Sequence, residues 1–161
     1  MNIAIVKYNA GNIYSVDYAL KRLGVEAVIT SDKEILTKAD KVIFPGVGEA
    51  ETTMNYLREQ QLDALIKDLK QPVLGICLGM QLLFEKSYEY GEHDGLGLIK
   101  GSVKFIGDVI PDDLKIPHIG WNALKFRNSS NPLFKYINEG DCVYFVHSYY
   151  LKAEEEEIVA A

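Results

Sequence analysis

Four short apolar runs, each ending in a turn, constrain the architecture before any single residue does. Asn2–Lys7 (NIAIVK) is β-branched and apolar at successive positions, as a strand buried on both faces must be. A turn cluster follows, Asn9-Ala10-Gly11-Asn12, and then Ile13, Val16, Ala19, Leu20 and Leu23 recur at helical spacing. Gly24 closes that helix, and Val25–Ile29 reads as the second strand. Lys41–Phe44 is the third, ending in Pro45-Gly46-Val47-Gly48. Glu51–Leu69 predicts one long helix, with Met54, Leu57, Leu62, Leu65, Ile66 and Leu69 on its apolar side. Pro72–Ile76 is the fourth strand and feeds Cys77 and a helix over Met80–Glu85. Strands alternating with helices require parallel pairing and right-handed crossovers. The expected fold class is therefore α/β: an open, mostly parallel sheet with helices on both faces.

After Ser87 the pattern changes. Tyr88–Gly97 is a polar, glycine-containing loop, and Leu98–Ile106, Ala123–Phe126 and Cys142–His147 read as strands on long connections. A mixed or antiparallel extension of the sheet is expected there. No repeat, low-complexity linker or second domain is visible, and Glu154–Glu157 reads as a solvated turn. Ile158-Val159-Ala160-Ala161 starts like another apolar strand and stops, so the chain is expected to be one domain over 1–161 that lacks its C-terminal part.

The 161 residues suit one domain with one substantial core. A net charge of -6 argues against nucleic acid as a partner, because phosphate binding needs a basic face. No run approaches membrane-spanning length, and two cysteines make neither a disulfide framework nor a metal cluster. The expectations are a cytoplasmic protein, no metal and no cofactor.

The chemistry centres on Gly75–Phe84 (GICLGMQLLF). A strand, then Gly-x-Cys-x-Gly, then a helix is the cysteine form of the nucleophile elbow. Gly75 and Gly79 matter because a sharp turn brings backbone segments too close for Cβ atoms. The turn would project Cys77 from the carboxyl edge of the sheet, where open parallel sheets bind ligands. The helix start supplies free N–H groups that favour a thiolate and a developing oxyanion. A free cysteine in general is a buried, inert small hydrophobe, but glycines on both sides after a buried strand reverse that reading. Pro45-Gly46-Val47-Gly48 ends a neighbouring strand, and it reads either as an oxyanion loop or as a plain β-turn.

With these residues in view, the sequence resembles the class I glutamine amidotransferases, and within them the glutaminase subunits of imidazole glycerol phosphate synthases. The resemblance is carried by YNAGNIYSV, PGVGEA, GICLGMQLLF, GLGLIKG, IPHIGWN and YFVHSYY, which together run from Lys7 to Tyr150. GICLGMQ is general to the class, whereas PHIGWN with FVHSYY is specific to these subunits. The resemblance implies hydrolysis of glutamine to glutamate and ammonia. It also implies transfer of the ammonia to a (β/α)8-barrel cyclase, the partner in a heterodimer of histidine biosynthesis. Carried over by position, Cys77 resembles the nucleophile that forms a glutamyl thioester. The N–H of Leu78 and one in the Gly46-Val47 peptide resemble the oxyanion donors. Gly48, Gln81, Glu89, His147, Ser148 and Tyr149 resemble the glutamine-holding surface. Asn9, Gly11, Asn12, His118 and Trp121 resemble the face that meets the cyclase.

One departure is plain. The family's base and its orienting glutamate lie in a Phe-His-Pro-Glu-Lys-type motif, and this sequence has none; its histidines are His93, His118 and His147. The leading expectation is a truncated glutaminase subunit that acylates slowly and turns over poorly. The alternative is a pseudo-glutaminase that only binds the cyclase, and a free-standing cysteine hydrolase ranks last. His147 at a strand end reads as a hydrogen-bonded structural residue rather than a substitute base. The Pro/Gly-rich stretch Ile116–Asn122 reads as a loop, His93 as a solvated loop residue, and Cys142 as core.

Overall fold

The Ile-Ala-Ile-Val run becomes β1 (Ile3–Val6), with every residue buried. Its neighbours are β2 (Ala27–Thr30) and β3 (Lys41–Gly46), both parallel to it, and β4 (Val73–Cys77) lies parallel to β3. The order is β2-β1-β3-β4. This is a computed structural model, and it describes residues 1–9 and 12–161. The chain forms two compact units, Met1–Ile99 and Lys100–Ala161.

In the first unit the period-2 alternation of the strands sorts side chains onto two covered faces. Ile3, Ile5 and Ile43 pack with Ile13, Val16 and Leu20 of α1 (Ile13–Arg22). Ala4, Val6, Val42 and Phe44 pack on the other side against Leu36, Met54, Leu57, Leu62 and Ile66. Those residues come from α2 (Lys33–Lys38), α3 (Ala50–Glu59) and α4 (Leu62–Asp68). Helices thus cover both faces, as the alternation requires.

Four elements of the unit differ from the sequence reading. α2 was not expected; its signal is Asp32, whose carboxylate accepts the N–H groups of Glu34 (2.8 Å) and Ile35 (3.0 Å) as an N-cap. The long helix over Glu51–Leu69 is two helices, α3 and α4, because Gln61 takes the left-handed conformation at φ 55°. The helix expected at Met80–Glu85 is instead α5 (Leu78–Gln81), one turn long. Phe84–Ser87 then forms β5, which pairs antiparallel with β6 (His93–Asp94) inside the expected polar loop. Helix propensity lost there to pairing across a short hairpin, which the helical spacing of apolar residues does not record.

In the second unit β7 (Ile99–Phe105) pairs antiparallel with β10 (Tyr149–Ala153) from Gly101 to Phe105. β8 (His118–Ala123) pairs antiparallel with β9 (Cys142–His147) along its whole length. The stretch read as a loop, Ile116–Asn122, is therefore mostly strand, and the strand expected at Ala123–Phe126 ends at Ala123. Its glycine and proline masked an alternation that only β9 completes. Cys142 was expected in the core and is exposed, on the same face of β9 as Tyr144 and Val146. Glu156–Ile158 is a short 3-10 turn, and Ala160 beyond it accepts the N–H of Arg127 at 2.9 Å.

Candidate active site at the Cys77 turn

β4 delivers Cys77 directly opposite Gly46, the last residue of β3. There the backbone turns to φ 54°, ψ −120°, a region that L-residues avoid and that persists only where surroundings enforce it. What enforces it is backbone packed on backbone. A Cβ placed on Gly79 would stand 1.9 Å from the Phe44 carbonyl oxygen, and one on Gly46 would stand 2.4 Å from the Gly79 nitrogen. One on Gly75 would stand 2.6 Å from the Met80 Cα. Leu78, 2% exposed, anchors the start of α5 in the core, while Cys77 itself stays exposed. The sulfur is thus presented to solvent beside the first N–H groups of α5, which have no acceptor within the helix.

Tyr8 buckles this edge. Its buried hydroxyl donates to the Pro45 carbonyl, and its ring tilts against Phe44 with centroids 5.6 Å apart. Burial first, and then charge on Cys77, push the Tyr8 hydroxyl well above the ordinary tyrosine range, so it stays a neutral donor. The sequence reading missed Tyr8. Its signal was a tyrosine one residue past a buried strand, in the quoted YNAGN segment.

Beyond Gly46 the loop runs through half-exposed Val47 to Gly48, at φ 106°, and Glu49 then caps α3 in an extended conformation. Glu89 reaches this point: its Oε2 accepts the Ala50 N–H at 2.8 Å. Burial raises the Glu89 carboxyl pKa, the Ala50 N–H lowers it, nearby Glu49 raises it, and His93 lowers it, with a net upward direction. Gln81 closes α5 and is half-buried. Cys77, Gly46, Val47, Gly48, Leu78, Gln81 and Glu89 therefore all belong to the first unit. Asn9 is exposed there, and Asn12 sits before α1 at φ 72° with its carbonyl accepting the Ser15 N–H. Gly11 lies outside the described residues.

His118, Trp121, His147, Ser148 and Tyr149 belong to the second unit. The rings of His118 and His147, cross-strand partners, meet edge-on at 5.4 Å. His147 donates from Nδ1 to the Tyr149 carbonyl at 2.8 Å, which leaves its Nε2 as the basic nitrogen. Ser148 spends its carbonyl on the Ile106 N–H. Trp121 and Tyr144 are also partners, with rings edge-on at 5.5 Å, flanked by the pair Ile119 and Val146. All four are more than half exposed, Trp121 at 70%. His93, expected in solvent, is half-buried in β6 with its Nε2 covered. Its pairing with Ser87 draws it inward.

Among the described residues no group of three His, Cys, Asp or Glu side chains could hold a metal ion. No helix among them is long and apolar enough to cross a membrane.

A nucleophile elbow on a parallel sheet fits several enzyme classes, and comparison with known proteins selects one. The family model for class-I glutamine amidotransferases matches residues 4–161, and the chain belongs to that enzyme family. The chain is 59% identical over 155 residues to the imidazole glycerol phosphate synthase subunit HisH of Bacteroides fragilis strain YCH46, covering 96% of this chain and 77% of the relative. It is 61% identical over 151 residues to the same subunit of Bacteroides thetaiotaomicron, covering 94% and 75%. Identity to the subunit of Aquifex aeolicus is 45% over 163 residues, covering 99% and 76%. A crystal structure of a glutamine amidotransferase superposes with a TM-score of 0.69 at 21% identity, over 95% of this chain and 75% of that one. The glutaminase domain of Trypanosoma brucei CTPS gives 0.59 at 19%, over 94% and 68%. At those identities the superpositions speak for the fold alone.

Proposed function

We propose that the chain hydrolyses glutamine to glutamate and ammonia through a thioester on Cys77, as one amidotransferase domain working in the cytoplasm. It serves a (β/α)8-barrel cyclase that uses the ammonia to make imidazole glycerol phosphate in histidine biosynthesis. The observation that carries this reading is the exposed Cys77 at φ 54°, opposite Gly46 and at the head of α5. The Sγ attacks the side-chain amide carbon of glutamine, and the C–N bond then breaks as the nitrogen takes a proton and leaves as ammonia. Water cleaves the resulting thioester, giving glutamate and the free thiol. Negative charge on the carbonyl oxygen is met by the Leu78 N–H and by the Gly46-Val47 peptide, donors that need no reorganisation during the reaction. Glu89, with one oxygen committed to Ala50, turns the other to the substrate ammonium. Gln81 and Gly48 complete the grip. Because burial raises the Glu89 carboxyl, that charge is lost as pH falls sooner than on an exposed glutamate.

The exposed Ile119, Trp121, Tyr144 and Val146 face supports the partner. An indole on such a face is a typical anchor of a protein interface. The chain is expected to form a one-to-one complex with the cyclase and to release glutamate from glutamine slowly in it. Trp121→Ala weakens the complex by about thirtyfold or more, measured by calorimetric titration. Unchanged affinity would remove this face from the interface, and failure of the wild type to bind would remove the cyclase.

A further inference from the structure

A peptide that meets developing charge without reorganising must be held in place before the charge arrives. The Gly46-Val47 peptide is poorly suited to hold itself. Gly46 has no Cβ to restrict its dihedrals, Val47 is half-exposed, and a Cβ on Gly48 would meet nothing within 4 Å. The restraint comes from what is packed on Gly46. A Cβ there would stand 2.4 Å from the Gly79 nitrogen, 2.8 Å from the Leu78 Cβ and 2.8 Å from the Tyr8 hydroxyl oxygen. Leu78 and Gly79 belong to α5, on the β4 side of β3. Tyr8 follows β1, the strand on the other side of β3.

Tyr8 is itself held. The preceding Lys7 donates its N–H to the Thr30 carbonyl at 2.8 Å, which extends the β1–β2 pairing past the end of β1. The Tyr8 side chain is buried in the cluster that contains Phe44 and Leu78, with its ring tilted on Phe44. So fixed, it delivers its hydroxyl to the carbonyl of buried Pro45. A peptide unit is planar, so a hold on the Pro45 oxygen is also a hold on the Gly46 nitrogen. Only the two dihedrals of Gly46 then separate this anchored peptide from the Gly46-Val47 peptide, and the same hydroxyl lies where a Gly46 side chain would point. A phenylalanine ring would fill the core equally well. The hydroxyl is the part that packing does not require.

We propose that Tyr8 is a positioning residue for the oxyanion peptide: its hydroxyl, on the Pro45 carbonyl and against Gly46, keeps the Gly46-Val47 peptide set to receive the carbonyl that Cys77 attacks. This deepens the glutaminase reading and rests on it, because that peptide must be a donor. Tyr8 acts through the peptide, so its effect falls on the step in which charge develops and not on substrate binding.

The test is acylation of the full chain by γ-glutamyl p-nitroanilide, followed by the colour of released p-nitroaniline. The sulfur adds to the γ-carbonyl carbon, the C–N bond breaks, and p-nitroaniline leaves with the proton that the thiol gives up. The half-saturating concentration reports binding, and the limiting rate reports charge development. Alkylation of Cys77 by iodoacetamide, read by peptide mapping, reports the thiol alone, because displacement of iodide at a saturated carbon makes no oxyanion. Tyr8→Phe is expected to lower the limiting rate of acylation roughly ten- to thirtyfold, with half-saturating concentration and alkylation within about twofold of wild type. An unchanged limiting rate, or a loss carried by the half-saturating concentration, would overturn the proposal. An equal loss in alkylation would overturn it too, since a merely structural role slows both reactions. Tyr8→p-aminophenylalanine keeps the ring and a weaker donor, and its limiting rate is expected about threefold below wild type with alkylation unchanged. It carries the comparison alone if Tyr8→Phe does not fold, and acylation as fast as wild type, or no faster than in Tyr8→Phe, would count against the hydroxyl. A wild-type chain that releases no p-nitroaniline, or releases it equally after Cys77→Ala, would sink the thioester reading and this proposal with it. Wild-type release that Tyr8→Phe leaves unaltered removes the Tyr8 proposal only.

Discussion

Gly79→Ala is expected to lower the thermal midpoint by about 10 °C and to end selective reaction at Cys77. The new methyl would stand 1.9 Å from the Phe44 carbonyl oxygen, a backbone atom of the buried strand β3 that no rotamer change can move. Either β3 shifts or α5 lifts away from it, at a cost of about 3 kcal/mol in overpacking. For a chain of this size that corresponds to roughly 10 °C. Lifting α5 also withdraws the Leu78 N–H from the side of the sulfur. Gly48→Ala is the natural contrast: a Cβ there meets nothing within 4 Å, and only its φ of 106° is strained. It should cost about 1–2 kcal/mol. Differential scanning calorimetry and thiol alkylation on the two variants check both halves, and equal costs would mean that close packing does not hold the turn.

The second large effect separates chemistry from fold. Cys77→Ala removes the nucleophile, and whatever glutamate release the wild type shows is expected to fall to background. Its stability should change by less than about 1 kcal/mol, because Cys77 is exposed. Chromatographic quantification of glutamate, beside a melting curve, is the check. Retained glutamate release would place the nucleophile elsewhere.

Much of this was legible in the sequence, and the reason is local. NIAIVK and KVIF read as strands because burial on both faces demands continuous apolar runs, and the glycines around Cys77 announce a turn too tight for side chains. The structure adds the particular contacts, such as Gly79 on the Phe44 carbonyl, that make those glycines necessary. What was not legible depends on partners outside the stretch being read. Phe84–Ser87 carries helix-compatible residues and becomes a strand because His93–Asp94 pairs with it. The His118–Ala123 strand hid behind proline and glycine because its alternation has meaning only against Cys142–His147. Cys142 was assigned to the core from the apolarity of its neighbours, but a two-stranded ladder has an outer face and Cys142 lies on it. Tyr8 was passed over for a similar reason. Its hydroxyl acts on Pro45, a residue on another strand.

The central claim is that one thiol of two, the one on the turn between β4 and α5, is built to receive a glutamine carbonyl. Both thiols are exposed, so accessibility alone does not choose between them. The most direct measurement is peptide mapping by mass spectrometry after treatment with a substoichiometric glutamine-shaped diazoketone, with an excess of glutamine as competitor in a parallel sample. The account predicts the adduct on Cys77, suppressed by glutamine, with Cys142 unmodified. An adduct spread over both cysteines, or one on Cys77 that glutamine does not suppress, would contradict it.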